Sequence, residues 1–311
     1  MQNRLPVDNW HNLFAPDLKR ILLGLPPLGL IVRTVLNIGC NAHCVMCNGA
    51  RYDPSNEFNY TSVMKILETL DSHTVSAISL FGGEPLLDKN GLFDIFKRCK
   101  KKGIKVLITT NGSLLDALFL DKIIHDGADE ITFSLDALGK THDSIRGMPG
   151  LSKHIEDMVC YIRNKHPSFR VKINTVIMKN NYKEIPRLIK WMDKMGVYSV
   201  TIHNLRNCNN NYKKLKVDYL KQILLFRKLT NTATKIEFIG YPSMNNKEEK
   251  CNYLLHHLNV LDNRKIIPCH YRDDNPFFLD RPIKYLYKMD EFKRYIFKKI
   301  MTCRKCLITD D

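Results

Sequence analysis

Cys40, Cys44 and Cys47 stand within eight residues of each other in CNAHCVMCNGARYD, directly after the strand-like run VRTVLNIG. Thiols this close can be structural zinc ligands, a disulfide fragment or three corners of an iron–sulfur cluster. A structural zinc site takes four protein ligands, and this group holds three cysteines. His43 and His73 could each supply a fourth ligand, but His43 sits between two of the cysteines, where its side chain is expected to point away from the site they share. A cubane held by three thiolates leaves one iron open to a substrate or cofactor, so CxxxCxxC suits a cluster with a position to spare. A second group, Cys251, Cys269, Cys303 and Cys306, reads C-x17-C-x33-C-x2-C and satisfies either zinc or a cubane. Together the two groups take seven of the ten cysteines, whereas a disulfide framework would scatter them more evenly.

Other residues suited to chemistry follow strand-like segments. Gly82-Gly83-Glu84-Pro85 follows AISLFG, Asn111-Gly112 follows KVLITT, Ser134 closes EITFS, and Cys208 follows SVTIHNL. Six such segments, including VRTVLNI and RVKINTVIM, alternate with helical ones such as SVMKILETLDS and YKEIPRLIKWMDKMG. That alternation predicts an α/β fold with a parallel sheet and right-handed crossovers. In such a sheet the chemistry belongs at the C-terminal ends of the strands. Paired glycines let the backbone approach a ligand, and Glu84 can accept hydrogen bonds from an ammonium group; a lone GGEP would otherwise read as a strand-end turn.

The 311 residues suffice for a large domain and a small one. Residues 1–18 lack a secretory pattern, and the longest apolar stretch, Ile21 to Val32, is interrupted by Pro26 and Pro27 and falls short of the ~20 residues a membrane span needs. The expectation is a cytoplasmic protein with no membrane span. A net charge of +16 reads as a solvated basic surface or as the footprint of an acidic partner.

With CxxxCxxC, GGEP and SLDALGKTHDSIRG in this order, the sequence resembles the radical S-adenosylmethionine (SAM) superfamily from about Val32 to Leu205. The resemblance implies a partial (β/α)6 TIM-type barrel in which Cys40, Cys44 and Cys47 bind a 4Fe–4S cluster, whose open iron is chelated by SAM. Reductive cleavage of SAM would then give a 5′-deoxyadenosyl radical that abstracts a substrate hydrogen. By the same resemblance Met46, Gly82, Gly83, Glu84, Ser134 and Arg146 contact SAM, and reduced flavodoxin or ferredoxin supplies the electron. The SLDALGKTHDSIRG run is similar to that of anaerobic sulfatase-maturating enzymes. The second cysteine group resembles the twitch domain, the short form of the SPASM extension, and implies one fully ligated auxiliary 4Fe–4S cluster in a small C-terminal α+β domain, with zinc as the alternative.

The expected organisation is an N-terminal extension (1–31), the barrel (32–215), a connecting region (216–250) and the auxiliary cluster domain (251–311). An auxiliary cluster suits oxidation, so the expected reaction is dehydrogenation of a polar or anionic small molecule. Maturation of a ribosomally made peptide, by crosslinking or epimerisation, and RNA modification are the alternatives. Cys208 is a candidate hydrogen donor to a substrate radical, against an incidental loop cysteine. Cys99 and Cys160 read as buried or half-buried helix residues, and Asp136, Thr110 and Asn111 as loop-shaping residues with no assigned contact.

Overall fold

The computed structural model describes residues 19–36, 39–47, 60–205, 211–227, 229, 232–239, 257–260, 266–267, 277, 279 and 282–302. All six expected strands form: β1 (Leu30–Val35), β2 (Val75–Phe81), β3 (Lys105–Thr110), β4 (Glu130–Ser134), β5 (Arg170–Ile177) and β6 (Ser199–Asn204). Two further parallel strands, β7 (Lys235–Ile239) and β8 (His257–Val260), extend the sheet on opposite edges, and β9 (Ile266–Ile267) runs antiparallel to β8. The strand order is β7-β6-β5-β4-β3-β2-β1-β8-β9, and the eight parallel strands curl into a half-barrel. β7 and β8 escape sequence reading because both are short and carry polar residues: Lys235 and Glu237 on one, His257 and Asn259 on the other. Those residues break up the continuous apolar run that marks a buried parallel strand.

Helices α1 (Tyr60–Thr69), α2 (Lys89–Lys102), α3 (Ala117–Asp126), α4 (Lys140–Arg146), α5 (Leu151–Lys165) and α6 (Ile185–Lys194) fill the crossovers. Their boundaries follow from local chemistry. Asp88 accepts from Gly91 N at 3.0 Å and Asp116 from Phe119 N at 2.7 Å, capping the starts of α2 and α3. The basic run Lys100-Lys101-Lys102 closes α2, where cations face the negative end of the helix. Lys102 also reaches the carbonyls of Leu67, in the last turn of α1, and Leu70, just beyond it, at 2.6 and 2.8 Å. Part of the basic surface is therefore helix-end chemistry.

Alternation on the strands divides the sheet into two faces. Val171, Ile173 and Ile177 of β5, like Val200 and Ile202 of β6, join one apolar core with Leu92, Ile95 and Phe96 of α2 and Ile155, Val159 and Ile162 of α5. Lys172, Asn174 and Val176 point the other way, into the half-barrel, and stay half-buried. α7 (Tyr212–Leu215) and α8 (Tyr219–Arg227) lie between β6 and β7, and α9 (Ile283–Leu286) and α10 (Asp290–Thr302) follow β9. Ile283, Leu286, Phe292 and Ile296 enter the same core as the sheet. Cys99 is buried as expected, and burial pushes its thiol up to about 12. Cys160 instead lies exposed on α5, because its position falls off the face formed by Ile155, Val159 and Ile162. Among the described residues no helix is long and apolar enough to cross a membrane.

Candidate active site

The cysteine loop leaves β1 at its C-terminal end and is fastened to the end of α4 by two backbone hydrogen bonds. His43 N donates to Arg146 O at 3.1 Å and Val45 N to Ile145 O at 2.9 Å. Gly147 makes this approach possible. Its φ of +65° is left-handed, and a Cβ there would lie 3.1 Å from both Cβ and O of His43. Asn211 Nδ2 adds a bond to Val45 O at 3.1 Å. Met46 and Val45 pack on a separate apolar cluster formed by Ile145, Met178, Leu205, Tyr212 and Leu215. Cys40 is buried, Cys44 half-buried and Cys47 exposed.

A second set of contacts ties this loop to the ends of β2 and β3. Glu84 N donates to Gly39 O at 2.8 Å. The Glu84 side chain is 0% exposed and accepts from Leu86 N at 3.1 Å, Thr110 Oγ1 at 2.6 Å and Asn111 N at 2.7 Å. Those three bonds use most of the roughly four acceptor positions a carboxylate has. Burial pushes its carboxyl above the usual range, and the bonds from Thr110, Asn111 and Leu86 pull against that shift. Asn111 Nδ2 continues to Asn41 Oδ1 at 3.0 Å and to Cys40 Sγ at 3.8 Å, while Ala42 N reaches Cys40 Sγ at 3.4 Å. Gly82 and Gly83 form the turn above, Gly82 with φ +146°.

Beyond β4 lies a buried ion pair. Arg146 Nε donates to Asp136 Oδ2 at 2.7 Å, and Arg146 Nη1 lies 3.7 Å from Cys44 Sγ. Asp136 Oδ1 accepts from Val176 N at 2.9 Å. Burial works against the charge on Arg146, yet Asp136 and Cys44 hold the guanidinium firmly protonated. Burial pushes the Cys44 thiol up, and Arg146 opposes it; burial likewise raises Cys40. His142 is fully buried, its Nδ1 accepts from Asp136 N at 3.1 Å, and burial lowers its pKa to about 4, so the ring is neutral. Asp143 accepts from Gly150 N and Ser152 N at 2.7 and 2.8 Å and so caps α5.

The structure therefore gathers Cys40, Cys44, Cys47, Gly82, Gly83, Glu84, Ser134 and Arg146 around the C-terminal ends of β1, β2 and β4. Ser134 is half-buried at the end of β4, opposite Asn174. His73 precedes β2 and so lies at the far end of the sheet from the cysteines; the topology removes it as a ligand. Cys208, Cys251, Cys269, Cys303 and Cys306 lie outside the described residues. Asp136, Thr110 and Asn111, which the sequence left without contacts, prove to join the loops. A strand-end polar residue in each case is the only signal, because their partners are distant in sequence.

The three thiols fit an iron–sulfur cluster in chemistry. Cys40 receives two N–H groups and Cys44 a guanidinium, and such contacts stabilise thiolate ligands. Among the described residues no three Cys, His, Asp or Glu side chains converge as they would on a single metal ion. A cubane takes one thiolate per iron, so its ligands must stand apart around a larger body.

The sequence model of the Radical SAM superfamily matches residues 34–192. The chain is 30% identical over 164 residues to an AdoMet-dependent heme synthase of Methanosarcina barkeri, a match covering 52% of this chain and 46% of that protein. It is also 30% identical over 188 residues to pre-heme d1 synthase of Dinoroseobacter shibae, covering 60% and 45%. These matches span about half the length of the two curated relatives. In fold the chain is similar to SuiB of Streptococcus suis bound to S-adenosylmethionine, with a TM-score of 0.68 at 18% identity, covering 86% of this chain and 67% of SuiB.

Proposed function

Because the chain belongs to the radical SAM superfamily, we propose that it is an enzyme that cleaves S-adenosylmethionine reductively and abstracts hydrogen from a polar or anionic small molecule, with net oxidation of that substrate. The observation that carries the reading is the junction of the cysteine loop with Glu84, Asn111 and the Asp136–Arg146 pair at the C-terminal ends of the parallel strands. The cluster held by Cys40, Cys44 and Cys47 would supply the electron that cleaves the C–S bond of SAM.

The chain's own residues position and shield. Arg146, charged and held by Asp136, keeps a cation beside Cys44 and presents its remaining N–H groups toward a SAM carboxylate. Glu84 locks three strand-end loops together, and the Gly82-Gly83 turn lets the methionine end of SAM approach the backbone. Ser134 offers a hydroxyl to the ribose, and Met46, packed on Ile145 and Met178, backs the adenine. Cys251, Cys269, Cys303 and Cys306 would hold an auxiliary cluster that accepts the second electron of the oxidation, in a twitch-like domain, and Cys208 would return a hydrogen atom if the reaction were an epimerisation.

Anaerobic reconstitution of the full chain with iron and sulfide tests this reading. Wild type should hold about eight irons and release 5′-deoxyadenosine from SAM under dithionite, whereas a C40A/C44A/C47A variant should hold about four and release none. Wild type that retains about four irons and one zinc while still cleaving SAM would remove the oxidative part of the proposal. Failure to cleave SAM at full iron loading would remove the whole of it.

A further inference from the structure

One side of the cysteine loop is covered by the short helix α7. Just ahead of it, Asn211 Nδ2 donates to Val45 O at 3.1 Å, and Tyr212 and Leu215 are buried in the apolar cluster on which Val45 and Met46 pack. Val45 and Met46 lie between Cys44 and Cys47, so α7 sits against the segment that joins two of the thiols. The turn after β5 is fastened to the same place: Met178 enters the cluster, and Lys179 N donates to Leu215 O at 2.8 Å.

With Tyr212 and Leu215 turned inward, Lys213 and Lys214 are exposed, and so are Lys179 and Lys183 of the adjoining turn. Among the described residues none of these lysines enters an ion pair. The nearby carboxylates are occupied by other donors. Glu184 accepts from Thr141 Oγ1 at 2.6 Å, and Asp218 from Leu220 N and Lys221 N at 3.0 and 3.3 Å. Elsewhere the helix surfaces match their cations: Lys122 pairs with Asp126 and Lys153 with Asp157, each at 2.6 Å, and Lys293 with Asp290 at 2.7 Å. Lys100 and Lys101 are also exposed, but they close α2 at the opposite end of the sheet.

We infer that the face formed by Lys179, Lys183, Lys213 and Lys214 is the docking surface for an acidic electron-transfer protein. An electron entering here has only the loop between Cys44 and Cys47 to cross. The exchange is of one electron: the donor's reduced flavin or iron–sulfur centre is oxidised by one, and the cluster at Cys40, Cys44 and Cys47 is reduced by one. Redox encounters use small, transient interfaces, in which opposite charge steers approach and orientation. Mobile lysine ammonium groups without partners suit such an interface, because little has to be broken when the acidic partner arrives. RNA would be drawn by the same charge, but an electron donor alone gains from standing over the segment that joins two cluster ligands. This inference rests on the proposed function for the cluster itself.

The test uses the reconstituted full chain and a flavodoxin kept reduced by NADPH and flavodoxin reductase. Calorimetry measures flavodoxin binding, and release of 5′-deoxyadenosine is followed with flavodoxin or with dithionite as reductant. In K213E/K214E, flavodoxin affinity should fall at least about tenfold and the KM for flavodoxin should rise to match, with dithionite-driven release and melting temperature unchanged. K100E/K101E carries the same change in net charge and should stay within about twofold of wild type. Wild-type affinity should weaken as salt is raised. Equal losses in the two double variants, unaltered binding in K213E/K214E, no binding of flavodoxin to wild type, or tighter binding of an RNA hairpin at the same lysines would each overturn the inference. Dithionite-driven cleavage by wild type reports separately on the proposed function, and calorimetry reads docking whether or not SAM is cleaved.

Discussion

Replacing Asp136 by Asn tests the ion pair that joins β4 to the cysteine loop. Asp136 is 0% exposed and the Arg146 side chain 11%, so the pair is dry enough for loss of one charge to leave the other uncompensated. The two carboxylate oxygens face two different donors, Arg146 Nε at 2.7 Å and Val176 N at 2.9 Å. Asparagine has one oxygen, so either orientation sets its NH2 against an N–H. Removing one partner of a buried pair costs about 3–5 kcal/mol, and the retained acceptor places this change near the lower end, at about 3 kcal/mol. Urea unfolding of the apo protein measures it. The double variant D136N/R146M removes both charges and should recover part of the loss, since the penalty in the single variant is mainly an isolated buried cation. A D136N protein within about 1 kcal/mol of wild type, or a double variant less stable than the single one, would refute the reasoning.

Gly147→Ala should lower iron per chain as well as stability, because it combines about 1–2 kcal/mol of left-handed strain with a 3.1 Å approach to His43 inside the cysteine loop. Gly150→Ala, at φ +80° with nothing within 4 Å of its added Cβ, should cost similar stability yet leave iron content unchanged; equal iron loss in both variants would show that the His43 contact is irrelevant. His142 has a folded pKa of about 4 against 6.5 for an ordinary histidine, so the unfolded chain binds its proton first. Its contribution to stability is therefore present above pH 6.5 and lost as pH falls to about 4, by about 3 kcal/mol. His142→Asn should flatten the stability profile in that window, and an unchanged slope would place the acid sensitivity elsewhere.

Much of the fold was legible in order because parallel strands buried on one face must be apolar at alternate positions, as Val171, Ile173 and Ile177 are. β7 and β8 were not, since segments of five and four residues hold too few repeats for the alternation of Ile236 and Phe238, or of Leu258 and Val260, to stand out. Cys160 illustrates a related limit: helical periodicity predicts a helix, but only packing shows which turn faces the core.

The local pattern was sufficient for the cysteine loop, the glycine turn and the strand-end position of Ser134, because ligand spacing and turn chemistry are written within a few residues. Tertiary structure alone decided that Arg146 pairs with Asp136 and faces Cys44, a residue 102 positions away in the chain, and that Glu84 is spent on Thr110 and Asn111. It also decided that Lys213 and Lys214 stand beside the segment that joins Cys44 to Cys47. A charge is equally at home on a solvated surface or at a site, and the packing of distant segments determines which of the two it meets.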